Sequence, residues 1–257
     1  PIIDALKERA EEGIWGYTSR PDSYFEAIRG WQKRRNGWDI KKEMMSWSLG
    51  VVPALSSIVK LFSEPGDSIM IQTPVYSEFY DVTEAWGRNV LENRLVEKDG
   101  AWGIDFEDFE AKAKEARIFL LCSPHNPLGI VWSREELTRM ADICMANNTL
   151  LVSDEIHSDL VFHGKKHIPT ATLSAETAGR VISCISGTKT FNLAGLCQSY
   201  VVIPNPRMRD AYMAIYDGCM DLGSNVFGMT ALTAAYNEAE GWLDQLLVYL
   251  EANRDYA

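Results

Sequence analysis

The sequence predicts an α/β fold in which a mostly parallel sheet is covered by helices on both faces, a three-layer α/β/α large domain. Apolar runs of strand length alternate with segments of helical periodicity as far as residue 203, and such alternation is typical of parallel sheets. Several runs are rich in β-branched residues and end at a glycine, a proline or an acid, as buried strands do. The 257 residues, 46% of them apolar, suffice for a sizeable core.

Each element follows from a local pattern. Helices are predicted where apolar residues recur every three or four positions, and the Ser133–Glu136 capping box marks one helix start. The predicted helices are 1–13, 24–36, Pro53 to Phe62, 106–115, the segment from Ser133, and segments after residue 203, including 242–250. The predicted strands are 68–72, a run before the turn at Asp99-Gly100, 119–122, 150–154, 180–185 and 201–203.

Charge and composition limit the partners. With 25 basic and 36 acidic residues the net charge is −11, scattered along the chain. A field of this sign disfavours nucleic acid and anionic membranes, which bind through Lys and Arg. No apolar run has membrane-spanning length, and the N-terminus does not resemble a signal peptide. We expect a soluble protein with a small-molecule substrate.

The cysteines indicate a reducing compartment. They are odd in number and widely spaced, which favours buried free thiols and hence a cytoplasmic protein. The five are Cys122, Cys144, Cys184, Cys197 and Cys219. The chain starts at Pro1 without Met and stops at Ala257 inside a helical pattern, so we expect a piece of a longer protein.

One lysine occupies an unusual place. The small polar loop Ser186-Gly187-Thr188-Lys189 directly follows the strand predicted at 180–185. A lone loop lysine is most often a solvated surface charge. At the rim of a sheet, however, a lysine can lose its proton and attack a carbonyl carbon, as chemistry with pyridoxal phosphate (PLP) requires.

Two other apolar runs end in groups of matching chemistry. The run 150–154 ends in Asp154, and a carboxylate at the C-terminal end of a parallel strand lies where open α/β sheets bind ligands. It could pair there with a protonated pyridine nitrogen. The run 119–122 leads to Asn126, whose Asn-Pro step favours an abrupt exit from the sheet. The parallel topology would bring these strand ends together.

Three motifs in chain order carry a family resemblance: Pro-His-Asn-Pro-Leu-Gly at 124–129, Ser-Asp-Glu-Ile-His-Ser-Asp at 153–159, and Ser-Gly-Thr-Lys-Thr-Phe-Asn-Leu-Ala-Gly-Leu at 186–196. Over nearly the whole chain they resemble the fold-type I PLP enzymes, and within them the MalY/PatB-like cystathionine β-lyases (C-S lyases). The resemblance implies that Lys189 carries PLP, that Asp154 pairs with its pyridine nitrogen and that Asn126 donates to its phenolic oxygen. His157 stands where many aminotransferases of the superfamily have tyrosine. One departure is Thr188, where the family usually has serine.

The resemblance also assigns the phosphate end of the cofactor. A helix N-terminus presents unpaired N–H groups, and the family places the phosphate where Gly50, Val51 and Val52 open a helix after a tight turn. Ser186 matches a serine of the superfamily that donates to this phosphate.

Two tyrosines are expected near the cofactor by the same resemblance. Tyr76 matches the tyrosine that stacks on the ring, and Tyr17 matches one that reaches the phosphate in the neighbouring subunit. For both residues ordinary packing is the alternative.

The implied organisation is a homodimer with shared active sites. Residues 1–20 would contribute to the small domain and the dimer contact, 21–238 would form the PLP-binding large domain, and 239–257 would begin the interdomain helix. The small C-terminal domain, with the arginine that grips the substrate carboxylate, would lie outside this chain. The implied reaction is β-elimination of L-cystathionine or related cysteine S-conjugates to thiol, pyruvate and ammonia, in methionine biosynthesis.

Alternatives differ in what they explain. A class I/II aminotransferase would use the same lysine, aspartate and asparagine. A P-loop lacks its contiguous Gly-Lys pair, and no Gly-x-Gly-x-x-Gly follows an early strand. A metal site is conceivable from Asp154, His157, His163 and His167, although Gly164 and Pro169 argue against the helix that would align them. A non-enzymatic protein of this fold would be expected to lose Lys189 or Asp154.

Overall fold

The computed structural model describes residues 1–215 and 225–257. The helices are α1 (Ile2–Glu11), α2 (Asp22–Asn36), α3 (Val51–Phe62), α4 (Glu78–Glu84), α5 (Phe106–Ala113), α6 (Arg134–Ala146), α7 (Ala175–Ala178), α8 (Pro206–Ile215), α9 (Val226–Glu238) and α10 (Glu240–Tyr256). The strands are β1 (Met45–Ser48), β2 (Ser68–Thr73), β3 (Asn89–Arg94), β4 (Val96–Lys98), β5 (Ala101–Gly103), β6 (Ala116–Cys122), β7 (Leu150–Asp154), β8 (Val181–Ile185) and β9 (Ser199–Val202).

Seven of these strands form one mostly parallel sheet in the order β1-β9-β8-β7-β6-β2-β3. The pairs from β8 across to β3 are parallel, whereas β9 runs antiparallel to both β8 and β1. The strands β4 and β5 form a separate antiparallel pair. The predicted α/β fold with a mostly parallel sheet is confirmed.

Helices cover both faces of the sheet, because its central strands are apolar on both sides. In β6, Ile118 and Leu120 face a core shared with α3 and α4, whereas Phe119 and Leu121 face a second core shared with α2, α5, α6 and α9. All four side chains are at most 1% exposed. Burial on both faces explains why the strands are continuous apolar runs rather than alternating ones.

Local signals account for several boundaries. Ser133 and Glu136 form the predicted capping box at the start of α6. Gly37 ends α2 in the left-handed conformation, with a φ of 68°.

The division of the chain into the units 1–20, 21–238 and 239–257 stays a prediction.

One strand was not predicted, and one expectation needs correction. The edge strand β1 was missed because its four residues are recognisable as a strand only through their pairing with β9. Among the described cysteines, Cys122, Cys144 and Cys184 are buried free thiols, but Cys197 is exposed, since it lies in a turn and not in the sheet. Cys219 lies outside the described residues. None of the helices in 1–215 and 225–257 combines the length and apolarity that a membrane span needs.

Gly228 allows α9 to approach the chain just before β9, and this contact is testable. A Cβ atom there would lie 2.5 Å from the Leu196 carbonyl oxygen, a backbone atom that cannot move aside freely. We expect Gly228→Ala to lower the free energy of unfolding by about 1–3 kcal/mol through overpacking, measured as a lower Tm. Gly241→Ala in α10 is the matched control, because its Cβ would meet nothing within 4 Å. Equal melting of both variants would contradict this packing.

Candidate active site

The candidate site lies at the C-terminal ends of three neighbouring parallel strands. The register aligns Cys122 at the end of β6 with Asp154 at the end of β7, and Asp154 with Cys184 in β8. Between these strand ends and the N-terminus of α3 is a cavity of about 230 Å³. Its lining residues are Leu49, Gly50, Val51, Val52, Pro53, Tyr76, Cys122, Asn126, Asp154, Ile156, His157, Thr188, Lys189, Ala194 and Gln198.

The structure brings together most of the predicted site residues. Those that line the cavity are Gly50, Val51, Val52, Tyr76, Asn126, Asp154, His157 and Lys189. Ser186 does not line it; it is 1% exposed, and its hydroxyl donates to the Gln198 carbonyl oxygen at 2.7 Å. Thr188 lines the cavity instead, and its hydroxyl lies 2.8 Å from that of Ser186. Tyr17 is 100% exposed and lies away from it within this chain.

The loop that carries Lys189 is held from several sides. The backbone N–H groups of Phe191 and Leu193 donate to the carbonyl oxygens of Gly187 and Thr188. A Cβ at Gly187 would lie 2.7 Å from a Leu232 methyl carbon, so glycine lets α9 pack against the loop. Lys189 itself is exposed between buried neighbours. The loop, held in this way, therefore presents Lys189 to the cavity.

Thr190 is fixed by a buried carboxylate that sequence analysis missed. Its hydroxyl donates to Asp159 at 3.0 Å, and Asp159 also accepts from the Trp31 indole N–H at 3.0 Å. Burial raises the pKa of Asp159, and its two hydrogen bonds oppose that rise. Asp159 is the last residue of the second motif, but no local pattern indicates that it reaches the lysine loop.

Asp154 dominates the electrostatics of the cavity. It is 5% exposed, and its carboxylate accepts one described hydrogen bond, from the Ile156 N–H at 3.1 Å. Burial raises its pKa from 3.8 to about 7; the Glu155 charge adds to this rise, and the Ile156 N–H and the Lys189 charge oppose it. A buried carboxylate with so few donors has room for a cationic partner.

His157 and Tyr76 are neutral hydrogen-bonding groups near neutral pH. Burial, followed by the positive charge of Lys189, lowers the pKa of His157. Burial, followed by a hydrogen bond to Glu78, raises the pKa of Tyr76 to about 12. Neither group is therefore expected to carry charge in the cavity.

The N-terminus of α3 presents free N–H groups to the cavity. Its first intrahelical bond runs from the Ala54 N–H to the Gly50 carbonyl oxygen, and no side chain caps it. The N–H groups of Val51 and Val52 precede this bond, so they remain available to an anion. The tight turn expected before this helix does not require glycine, because Gly50 has an extended φ of 177°, which any residue adopts.

Two of the three histidines of the conceivable metal site, His163 and His167, have separate partners. His163 is bonded to Glu251, and the buried His167 lies 3.1 Å from Glu155. No group of three potential metal-ligating residues is found in the described part of the chain. The histidines thus serve contacts of their own in this structure.

Comparison with known proteins agrees with this geometry. The family model of class I and II aminotransferases matches residues 2–257. The chain belongs to this family. It is 45% identical to cystathionine beta-lyase PatB of Bacillus subtilis, covering 100% of the chain and 67% of PatB, and 35% identical to protein MalY of Escherichia coli, covering 99% and 66%. The predicted MalY/PatB-like resemblance is confirmed.

A solved structure also resembles this chain closely. The PLP-bound C-S lyase from Staphylococcus hominis superposes with a TM-score of 0.94 at 32% identity, covering 99% of this chain and 65% of that one. The chain thus spans about two thirds of the length of these relatives. Its fold is that of the fold-type I PLP enzymes.

The raised pKa of Asp154 predicts a pH dependence for the cofactor-free protein. A pKa that rises on folding contributes stability below the unfolded value of 3.8, and this contribution is lost as pH rises through about 7. We expect Asp154→Asn to be more stable than the wild type, by a margin that grows to a few kcal/mol between about pH 5 and about pH 8. Thermal melting across this range measures it.

Asp39→Asn, at an exposed surface carboxylate, is the control for this experiment and should keep the wild-type pH trend. If Asp154→Asn melted in parallel with the wild type at every pH, Asp154 would already have a cationic partner inside the folded protein.

Proposed function

We propose that the protein is a PLP-dependent carbon–sulfur lyase that cleaves L-cystathionine or related cysteine S-conjugates by β-elimination. The observation that carries this proposal is the convergence of Lys189, Asp154 and Asn126, from three separate strand ends, on one cavity. The similarity to PatB, a cystathionine beta-lyase, and to the C-S lyase of Staphylococcus hominis favours lyase chemistry.

The lining of the cavity fits PLP. Asp154 offers a buried carboxylate with a single described donor, suited to a protonated pyridine nitrogen. Asn126 offers an amide for the phenolic oxygen. Tyr76 and Ile156 offer flat or apolar surface for the ring. The N–H groups of Val51 and Val52 suit the phosphate.

Lys189 and Asp154 would each have a definite task in the reaction. PLP, when bound, supplies an electron-accepting ring that stabilises negative charge at the substrate Cα. Lys189 Nζ takes the proton from that Cα as general base. Asp154, as a carboxylate, keeps positive charge on the ring nitrogen. The Cβ–S bond then breaks, sulfur leaves as a thiol, and water converts the remainder to pyruvate and ammonia.

The second candidate is a class I/II aminotransferase. The family model that matches the chain is named for aminotransferases, and Lys189, Asp154 and Asn126 serve both reactions. Transamination would transfer the amino group to the cofactor and release an oxo acid that still contains the sulfur. Free thiol and pyruvate therefore distinguish the lyase from the aminotransferase.

Replacing Lys189 tests the proposed catalytic role. In the complete protein that contains this chain, we expect PLP to give a visible absorption band and L-cystathionine to yield pyruvate. Lys189→Ala should lower the rate by about 10²–10⁴-fold because the general base is lost. Lys114→Ala, at an exposed lysine, is the matched control.

The outcomes of that experiment separate the candidates. A change in the absorption band without pyruvate would favour the aminotransferase. Wild-type activity in Lys189→Ala would contradict both reactions.

We further propose that the active unit is a homodimer with shared active sites, in the cytoplasm and in methionine biosynthesis. Several large apolar side chains are exposed: Ile14 is 72% exposed, Trp15 54% and Leu49 47%. Leu49 also lines the cavity, so a second copy packed on it would be close to the site. The fully exposed Tyr17 would then reach the partner's phosphate site. The cysteines of residues 1–215 and 225–257 are free thiols, which suits a reducing compartment.

Shared sites predict complementation between two inactive variants. Tyr17→Ala and Lys189→Ala should each have low lyase activity alone. After mixing and subunit exchange, one site of each mixed dimer combines an intact Lys189 with an intact Tyr17 from the partner, so pyruvate formation should recover. Mixing Lys189→Ala with Asp154→Ala is the control, because each change lies in the cavity of its own protomer and every site of the mixed dimer therefore still has one altered residue. The proposal of shared sites fails if the first mixture stays at the sum of its parts.

In that control both sites of the mixed dimer are defective, one without Lys189 and one without Asp154, so pyruvate formation should stay low. Recovery therefore occurs only where the two changed residues belong to different halves of one site.

A further inference from the structure

We propose that Asp159 is a positioning residue for Lys189 and acts through the hydroxyl of Thr190; this rests on the proposed PLP-dependent function. The Lys189 side chain is exposed between two buried neighbours, yet the reaction needs its Nζ at one carbon atom. A displacement of about 1 Å at a reacting group can lower a rate about 100-fold. The contacts that fix the backbone beside Lys189 therefore bear on the reaction.

Hydroxyl groups hold the backbone on both sides of Lys189. Before it, the Thr188 N–H donates to the Ser186 Oγ at 3.1 Å. After it, the Thr190 hydroxyl donates to Asp159 Oδ2 at 3.0 Å. The first bond is local, whereas the second joins the lysine loop to a residue 31 positions away in the chain. Asp159 is thus the distant anchor of this loop.

Asp159 is itself held in one orientation. It is 6% exposed, and each of its carboxylate oxygens accepts one described hydrogen bond. Oδ1 accepts from the Trp31 indole N–H at 3.0 Å, opposite the bond from Thr190. Trp31 is fully buried in α2 and stacks on Tyr236 of α9, with 4.8 Å between the ring centroids. The carboxylate cannot turn without losing a donor, so α2 and α9 together determine where the Thr190 hydroxyl lies.

Phe191, the next residue of the loop, packs against the same aromatic rings. Its ring centroid lies 5.6 Å from that of Trp31 and 6.2 Å from that of Tyr236, both in edge-on contacts. Apolar packing is not directional, whereas a hydrogen bond fixes a distance and an angle. The aromatic rings therefore bury this end of the loop, and the bond to Asp159 fixes its position.

The surroundings of Asp159 suit a charged acceptor that stays outside the cavity. Burial raises its pKa, and the hydrogen bonds from Thr190 and Trp31 oppose that rise. The charges of Arg35 and His167 oppose it further. Hydrogen bonds to a carboxylate are about twice as strong as those between neutral groups. Asp159 does not line the cavity, so its effect on the reaction passes through the loop.

Removing the Thr190 hydroxyl tests this assignment. In the complete protein, Thr190→Val should lower kcat for pyruvate formation from L-cystathionine about 10- to 100-fold and leave KM within about twofold. With saturating PLP added to the cofactor-free protein, the absorption band should form more slowly by a similar factor, because Lys189 Nζ must reach the carbonyl carbon. Thr190→Ser keeps the hydroxyl and should lie much closer to the wild type in both measurements.

A double variant tests whether Asp159 is the partner of Thr190 in this role. Asp159→Ala should lower kcat by about the same factor as Thr190→Val. Because both changes break one interaction, the double variant should be no slower than the slower single variant. If Asp159→Ala does not fold, the comparison of Thr190→Val with Thr190→Ser decides alone.

Thr149→Val is the matched control for a loss of stability without a loss of position. Thr149 is 5% exposed, and its hydroxyl donates to the Ala113 carbonyl oxygen at 2.8 Å. It precedes β7 at the end opposite to Asp154. Both valine variants should lower the Tm of the cofactor-free protein, but only Thr190→Val should lower kcat and slow the formation of the band.

Three results would overturn the positioning role: wild-type kcat and band formation in Thr190→Val, an equal loss of kcat in Thr149→Val, or additive losses in the double variant. If the wild type formed the band without pyruvate, the rate of band formation would still decide. If the wild type gave neither band nor pyruvate, the proposed PLP-dependent function would itself fail. Normal turnover in Thr190→Val beside lost turnover in Lys189→Ala would reject this inference alone.

Discussion

The arrangement of the site depends on a carboxylate buried at the end of a central parallel strand. Asp154 and Glu155 are adjacent, and both are at most 5% exposed, yet their surroundings differ. Glu155 is surrounded by the Thr170 N–H, the Ser183 hydroxyl and the His167 ring. Asp154 receives one described N–H. The scaffold therefore satisfies one acid and leaves the other with capacity for a ligand, at the cost of a raised pKa.

The sheet makes this placement possible. Its central strands are buried on both faces. A shift by one residue would move each side chain from one core to the other and disturb the packing of both. The strand register that aligns Cys122, Asp154 and Cys184 is thus fixed by packing along the strands, away from the site. The close approach of α9 at Gly187 and Gly228 then fixes the loop and the turn on either side of Lys189. The contacts that pack the core therefore also fix the geometry of the site.

Sequence patterns reveal part of this structure. The strand ends that carry Asn126, Asp154 and Lys189 were predictable, because each follows a recognisable apolar run and parallel topology brings such ends together. The contact of Asp159 with the lysine loop was not, because it depends on residues far away in the chain, Trp31 and Thr190. The strand β1 was missed for the same reason. Local patterns identify elements, whereas long-range polar contacts appear only after folding.

Lys189 links the charges of the cavity. Burial raises the pKa of Asp154 and the positive charge of Lys189 opposes that rise. The same charge adds to burial in lowering the pKa of His157, and it helps to lower the pKa of Glu78 after that residue's hydrogen bonds. Any step that removes this charge, such as attack by the neutral amine on a carbonyl carbon, weakens the support for a charged Asp154. A protonated ring nitrogen would replace that support at the moment it is lost. One acid can thus serve two cations in turn, first the free lysine and then the ligand.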